Sequence, residues 1–172
     1  MDHWHHARYL RWEGDGVSSV PGERSVVSKR VANLRTNSFA VVVMLLIQYG
    51  LGIWVNLYAK LPQADQGATV ITGVVRAITN GPVGLTLHAI LGLILIATAT
   101  TAIIRTTRIG RELLLVIAVV GLVSILLAGI TGARFVGTGD NGASLIMALA
   151  TAVAILCYAL ILFVTGPCRG AA

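Results

Sequence analysis

Apolar positions fall along the chain in four uncharged stretches, residues 36–59, 77–104, 113–133 and 141–168. Each is long enough to cross a hydrocarbon core of about 30 Å as a helix, which takes roughly 20 residues. The pattern predicts an all-α membrane protein, a bundle of four transmembrane helices with spans at about 38–59, 83–104, 113–133 and 143–165. A mean hydropathy of +0.83 with 12% charged residues agrees, because a soluble domain of 172 residues needs more polar surface to stay dispersed.

Between these stretches the pattern changes. Residues 1–35 carry Gly, Ser, Pro21 and mixed charge without apolar periodicity, which predicts a flexible tail with at most a short interfacial helix near residues 26–34. The transmembrane domain is expected over residues 36–167, with a tail at 168–172. The first apolar run starts late and is long, so it is expected to remain in the mature chain rather than act as a cleaved signal. In the loop joining spans one and two, Val70, Ile71, Val74, Val75 and Ile78 recur at spacings of three and four, predicting an amphipathic helix over residues 68–79 that Gly81-Pro82 stops. The loop at 134–142 is short, with Gly137, Gly139, Asp140 and Asn141 as turn residues.

Charge orients the spans. Ten of the thirteen basic residues lie on one side (Arg8, Arg11, Arg24, Lys29, Arg30, Arg35, Arg105, Arg108, Arg111 and Arg169), against Lys60, Arg76 and Arg134 on the other. Basic residues in short loops stay on the cytoplasmic side, so both termini are expected in the cytoplasm of a plasma-membrane protein. The basic residues flank helix ends, where anionic headgroups attract them; the expected partner of the net charge of +6 is the lipid bilayer rather than nucleic acid.

The halves resemble each other. Asn80-Gly81 and Asn141-Gly142 each precede a span that returns inward. With a two-residue adjustment, Thr86-Leu87-His88-Ala89 falls on Leu145-Ile146-Met147-Ala148, and Leu51-Gly52-Ile53 falls on Ala128-Gly129-Ile130. A 2+2 internal repeat about an axis along the membrane normal follows from this alignment.

His88 is the one histidine inside a span, and an intramembrane ionisable residue is a functional candidate by default. Gly84, His88 and Gly92 share one helical stripe, leaving room for a flat or bulky group beside the imidazole. The matching stripe of span four is Ala143, Met147 and Thr151, with Met147 at the depth of His88. Imidazole and thioether form a recognised axial pair for haem iron. Haem is therefore the candidate cofactor, with His88 and Met147 as metal ligands and Lys60, Arg76 or Arg134 pairing its propionates. A second reading uses the same residues for packing: small-xxx-small stripes bring membrane helices together, as Ser124, Ala128 and Gly132 do in span three, and His88 bonds to Gln48, Asn56 or Thr86. On that reading the protein is a non-catalytic accessory, assembly or structural subunit whose partners are other membrane helices.

Other chemistry is weakly represented. His3, His5 and His6 lack a carboxylate or Cys to complete a defined metal shell. Cys157 and Cys168 are too far apart along the span-four axis for a disulfide. Proton-coupled antiport needs a carboxylate within the membrane, and no Asp or Glu falls within a span.

Gln48-Tyr49-Gly50-Leu51-Gly52-Ile53-Trp54-Val55 has the pattern Gln-x-x-Leu-Gly-x-x-Val. It resembles the first-span motif of the haem A synthase family, membrane enzymes that oxidise haem O to haem A. The resemblance implies one four-helix half of that fold, with Gln48, Leu51, Gly52 and His88 at the matching positions and haem held near the outer surface. Where the family has an Arg after the motif this chain has Asn56, Gly84 replaces the acidic residue four before the His, and Met147 stands where a second His is usual. Without that carboxylate the synthase reaction is not expected. The layout is also similar to that of small bacterial four-span membrane proteins.

Overall fold

The computed structural model describes residues 21–58, 69–138 and 140–166. Five helices follow one another: α1 Pro21–Tyr58, α2 Val70–Asn80, α3 Val83–Thr107, α4 Glu112–Thr138 and α5 Asn141–Val164. All but α2 are long and apolar enough to cross a membrane. Side chains such as Leu46, Leu93, Val123, Leu156 and Phe163 are exposed on their outer faces. Helices apolar on their outer as well as their inner sides suit a lipid surround. The protein is a multi-pass membrane protein.

The long helices run up and down around a ring in which α1 touches α3 and α5, and α4 touches α3 and α5. Among the described residues α1 does not meet α4, and α3 does not meet α5. One end of the ring carries the α3–α4 turn and the basic residues of α1, and is called the basic end here; the other carries α2. The α3–α4 turn closes through Gly110, whose φ of 72° is the left-handed geometry that glycine adopts without a Cβ penalty.

Two boundaries differ from expectation. α1 is one unbroken helix of 38 residues, about 57 Å long at 1.5 Å per residue. Residues 21–35 thus belong to the helix and are not a tail. Leu34 explains why: it is fully buried in the core, and Arg30 and Arg105 fasten this stretch to α3. At the α2 end, α4 runs to Thr138, so Arg134 sits on its last turns rather than in a loop. Asp140 then caps α5 by accepting a hydrogen bond from the Gly142 amide at 3.0 Å. The expected tail before residue 21, the loop residue Lys60 and the tail cysteine Cys168 lie outside the described residues, as do His3, His5 and His6.

The amphipathic helix forms where its periodicity places it. Thr69 caps it, accepting from the Thr72 amide, and Thr86 donates to the Ala77 carbonyl at 2.9 Å, tying its far end to the first turn of α3. It packs across α3 and α4. Its apolar residues divide between two faces: Val70 and Val74 join Gly73 and Ala77 in lining the bundle, while Ile71 and Val75 are exposed. A helix apolar on two sides suits the membrane interface, with one face on protein and the other on lipid.

The interior is filled unevenly. Near the basic end Leu34, Val41, Ala99, Leu114, Ala118, Tyr158 and Ile161 form a closed core with no more than 1% exposure each. Towards α2 the ring is hollow.

Candidate functional site

The hollow is a cavity of about 420 Å³ to which all five helices contribute. That volume is within the range of small-molecule sites, roughly 300–1,000 Å³. Most of its lining is aliphatic. The side chains with polar groups that line it are Gln48, Tyr49 and Asn56 from α1, His88 from α3, and Ser144 and Thr151 from α5. Thr151 donates its hydroxyl to the Met147 carbonyl at 2.8 Å, so its donor is already used.

His88 is the sixth residue of α3, which puts it about 8 Å along the helix from its start. Its ring rests on Gly52 of α1: a Cβ there would lie 3.4 Å from Cε1 and 4.0 Å from Nδ1. Nδ1 is buried and has no hydrogen-bond partner. Gln48, one turn before Gly52, donates from Nε2 to the His88 main-chain carbonyl at 2.9 Å. The expected bond between these residues therefore exists, but it goes to the backbone and leaves the imidazole untouched. Gln48 Oε1 is also buried without a partner. Gly92 makes the reach possible, since a Cβ at that position would stand 3.3 Å from Gln48 Nε2. Thr86, another expected partner of His88, instead bonds the carbonyls of Ala77 and Gly81.

Met147 enters the cavity from α5 and lies against Gly132 of α4, with Sδ 3.0 Å from where a Cβ would be. The stripe containing Gly132, read in the sequence as packing alone, is thus the seat of the thioether. His88 and Met147 each rest on a glycine of the helix they pair with. The equivalence is displaced from the sequence alignment, which sets Gly52 against Gly129. A Cβ at Gly129 would touch nothing within 4 Å, and that residue lines the cavity.

Gly84 does not line the cavity. Trp54 of α1 lies against it so closely that a Cβ would overlap the edge of the indole at Cζ3. The room beside His88 on the Gly84 side is therefore taken up by Trp54, whereas Gly92, with Gln48 Nε2 over it, lines the cavity, and the approach left to a ligand is from there. Arg134 and Arg76 are outside the lining, though their neighbours Ala133 and Ala77 belong to it. Both are exposed. No cluster of three or more His, Cys, Asp or Glu occurs among the described residues, so a metal there would depend on its own prosthetic group for most of its ligands.

Trp54 and Gly132 are the site-shaping residues that sequence reasoning missed. The available signal was a glycine facing a large side chain across an antiparallel hairpin, which spacing within one helix does not reveal. The architecture defines a four-span membrane protein with a ligand-sized cavity in one half of its bundle. Compared with known proteins, the chain matches no family model, and no curated protein and no solved structure is significantly similar to it.

Proposed function

We propose that this protein binds haem in the cavity beneath α2, with His88 as axial ligand and Met147 as second ligand. The proposal places both termini in the cytoplasm and the cavity towards the outer face of the plasma membrane, where haem is handled or electrons are passed. The carrying observation is that imidazole and thioether, on different hairpins, line the same apolar cavity. The donor set suits the group. A histidine that ligates a metal ordinarily donates its other ring N–H to an acceptor; Nδ1 of His88 and Oε1 of Gln48 are a buried donor and acceptor lacking partners, at successive turns of the α1–α3 contact. A hydrogen bond between them would fix the proton on Nδ1 and leave the Nε2 lone pair for iron. Arg76 and Arg134, each next in sequence to a residue of the lining, are the cations this reading assigns to the propionates. Haem, if held by His88 and Met147, would supply one-electron chemistry. The motif around Gln48 and Gly52 that resembles the haem A synthase family supports this reading. Gly84 withholds an acidic group from that helical position, so haem is held without conversion of haem O to haem A.

Purified from haem-replete cells, the protein is expected to show a Soret band that shifts on reduction. His88→Ala removes it, Met147→Leu leaves a five-coordinate or otherwise altered spectrum, and a strain lacking haem A synthase stays without haem A when it expresses the protein. A colourless preparation that added haemin does not load refutes the proposal and leaves the accessory-subunit reading. Parent-like spectra in both variants refute the ligand assignment.

A further inference from the structure

A second hollow, about 770 Å³, lies between α1 and α5 at the basic end. On α1 its walls are two ridges of i, i+4 spacing, Ser28–Ala32–Thr36 and Val31–Arg35–Phe39; Leu162, Thr165 and Gly166 close it from α5. We propose that this groove binds an anionic phospholipid from the leaflet at the basic end, with the phosphate on Arg35 and an acyl chain along Phe39 and Leu162.

Three observations support this occupant. The groove changes character along its length as an amphiphile does, from Ser28, Arg35 and Gly166 on the side of the basic end to Phe39 and Leu162 one turn further into the bundle. Its charge is of one sign, because no acidic side chain lines it. Arg35 is also available. Arg30 donates to the Arg108 carbonyl at 3.1 Å and Arg105 to the Asn33 carbonyl at 2.7 Å, fastening α1 to α3, whereas Arg35 is exposed and has no hydrogen bond or ion pair to any described residue. The hydroxyls of Thr36 and Thr165 donate to their own helices, at 3.2 and 2.6 Å. The guanidinium is left as the strong donor, and its planar fork suits a phosphate. Basic pockets between helix ends are where membrane proteins take up anionic headgroups. The proposal is independent of haem.

The test uses the full-length protein in phosphatidylcholine nanodiscs and a phosphatidylglycerol carrying a photoreactive group in its acyl chain. Labelling is expected on peptides containing Phe39 or Leu162, and unlabelled phosphatidylglycerol competes while phosphatidylcholine and inorganic phosphate do not. Arg35→Gln cuts labelling about fivefold, the effect of one basic group at an anionic surface. Arg35→Lys retains most of it, Ala32→Trp sets an indole between the Arg35 and Phe39 ends of the groove and reduces it, and Arg111→Gln matches the parent. Unchanged labelling in Arg35→Gln, or equal labelling by a phosphatidylcholine probe, overturns the proposal. So does competition by inorganic phosphate, which makes the site one for free anions. Labelling that emerges only after residues 167–172 are deleted assigns the groove to the chain's own C-terminal segment, and likewise overturns it.

Discussion

The two hairpins of the bundle are held together by different physics. Across α1 and α3, four side chains donate to main-chain carbonyls of the other helix or its C-cap: Arg30 to Arg108, Arg105 to Asn33, Asn37 to Thr98 and Gln48 to His88. Across α4 and α5 there is no such bond among the described residues. Ser124, Thr131 and Thr151 return their hydroxyls to the carbonyls of Val120, Leu127 and Met147 on their own helices. The contact is made instead by side chains set on glycines, Tyr158 on Gly121 and Met147 on Gly132, and it is the most extensive in the molecule. In a bilayer, apolar side chains gain little by leaving lipid for protein, so helices associate through close packing or through hydrogen bonds. The α4–α5 pair uses the first and the α1–α3 pair adds the second. Discrete bonds fix register, and along α1 and α3 that register sets His88 on Gly52.

The largest expected effect tests the packed hairpin. Tyr158 is fully buried, and a Cβ on Gly121 would lie 2.8 Å from its ring. Tyr158→Ala opens a cavity there and is expected to cost about 3 kcal/mol or more, measured by reversible unfolding in mixed micelles. Its hydroxyl is buried without a partner, so Tyr158→Phe is expected to leave stability unchanged or raised. A strongly destabilised Phe variant would show that a polar bond holds this hairpin too, and the contrast would fail.

Next in size is Gly84→Val. The new side chain needs the space that Trp54 occupies, and displacing the indole is expected to cost about 1–3 kcal/mol. In a chain with Trp4 and Trp12 replaced by Phe, leaving Trp54 as its one indole, the emission should shift. Adding Trp54→Ala should recover much of the loss, giving a coupling that separate sites do not show. Additive losses would mean that the two residues do not touch.

The smallest effect belongs to the polar rung. Gln48→Leu replaces the amide with an apolar side chain and removes the bond to the His88 carbonyl, and interhelical hydrogen bonds in membranes average about 0.6 kcal/mol. A loss equal to that of Tyr158→Ala would reverse the ranking of the hairpins.

Much of this was legible in the chain. Continuous apolar length gave the four spans, because in hydrocarbon the backbone must satisfy its own hydrogen bonds within a helix. Spacings of three and four gave α2 to within two residues of its observed ends. The boundaries at residue 35 and residue 134 were misjudged for one reason: local polarity marks where a helix leaves the apolar layer, and helices continue past that point while packing or capping sustains them. Leu34 does so in α1, and Phe135 and Val136, which pack around the cavity, do so in α4. His88 and Met147 stood out as a rare ionisable group and a matching sulfur at equal depth. That they share a cavity did not follow from depth.

What the sequence determined by itself was the solvent of each segment, the helical state that solvent imposes, and the side chains able to meet a ligand. What only the tertiary structure decided was which side of each small-residue stripe is filled. Gly84 and Gly92 look equally open along α3, yet Trp54 covers one and Gln48 reaches over the other, while Gly129 remains open onto the cavity. A helical stripe specifies direction around one axis, but the space in front of it is set by the rotation and register of the neighbouring helix. Those depend on contacts between residues far apart in the chain.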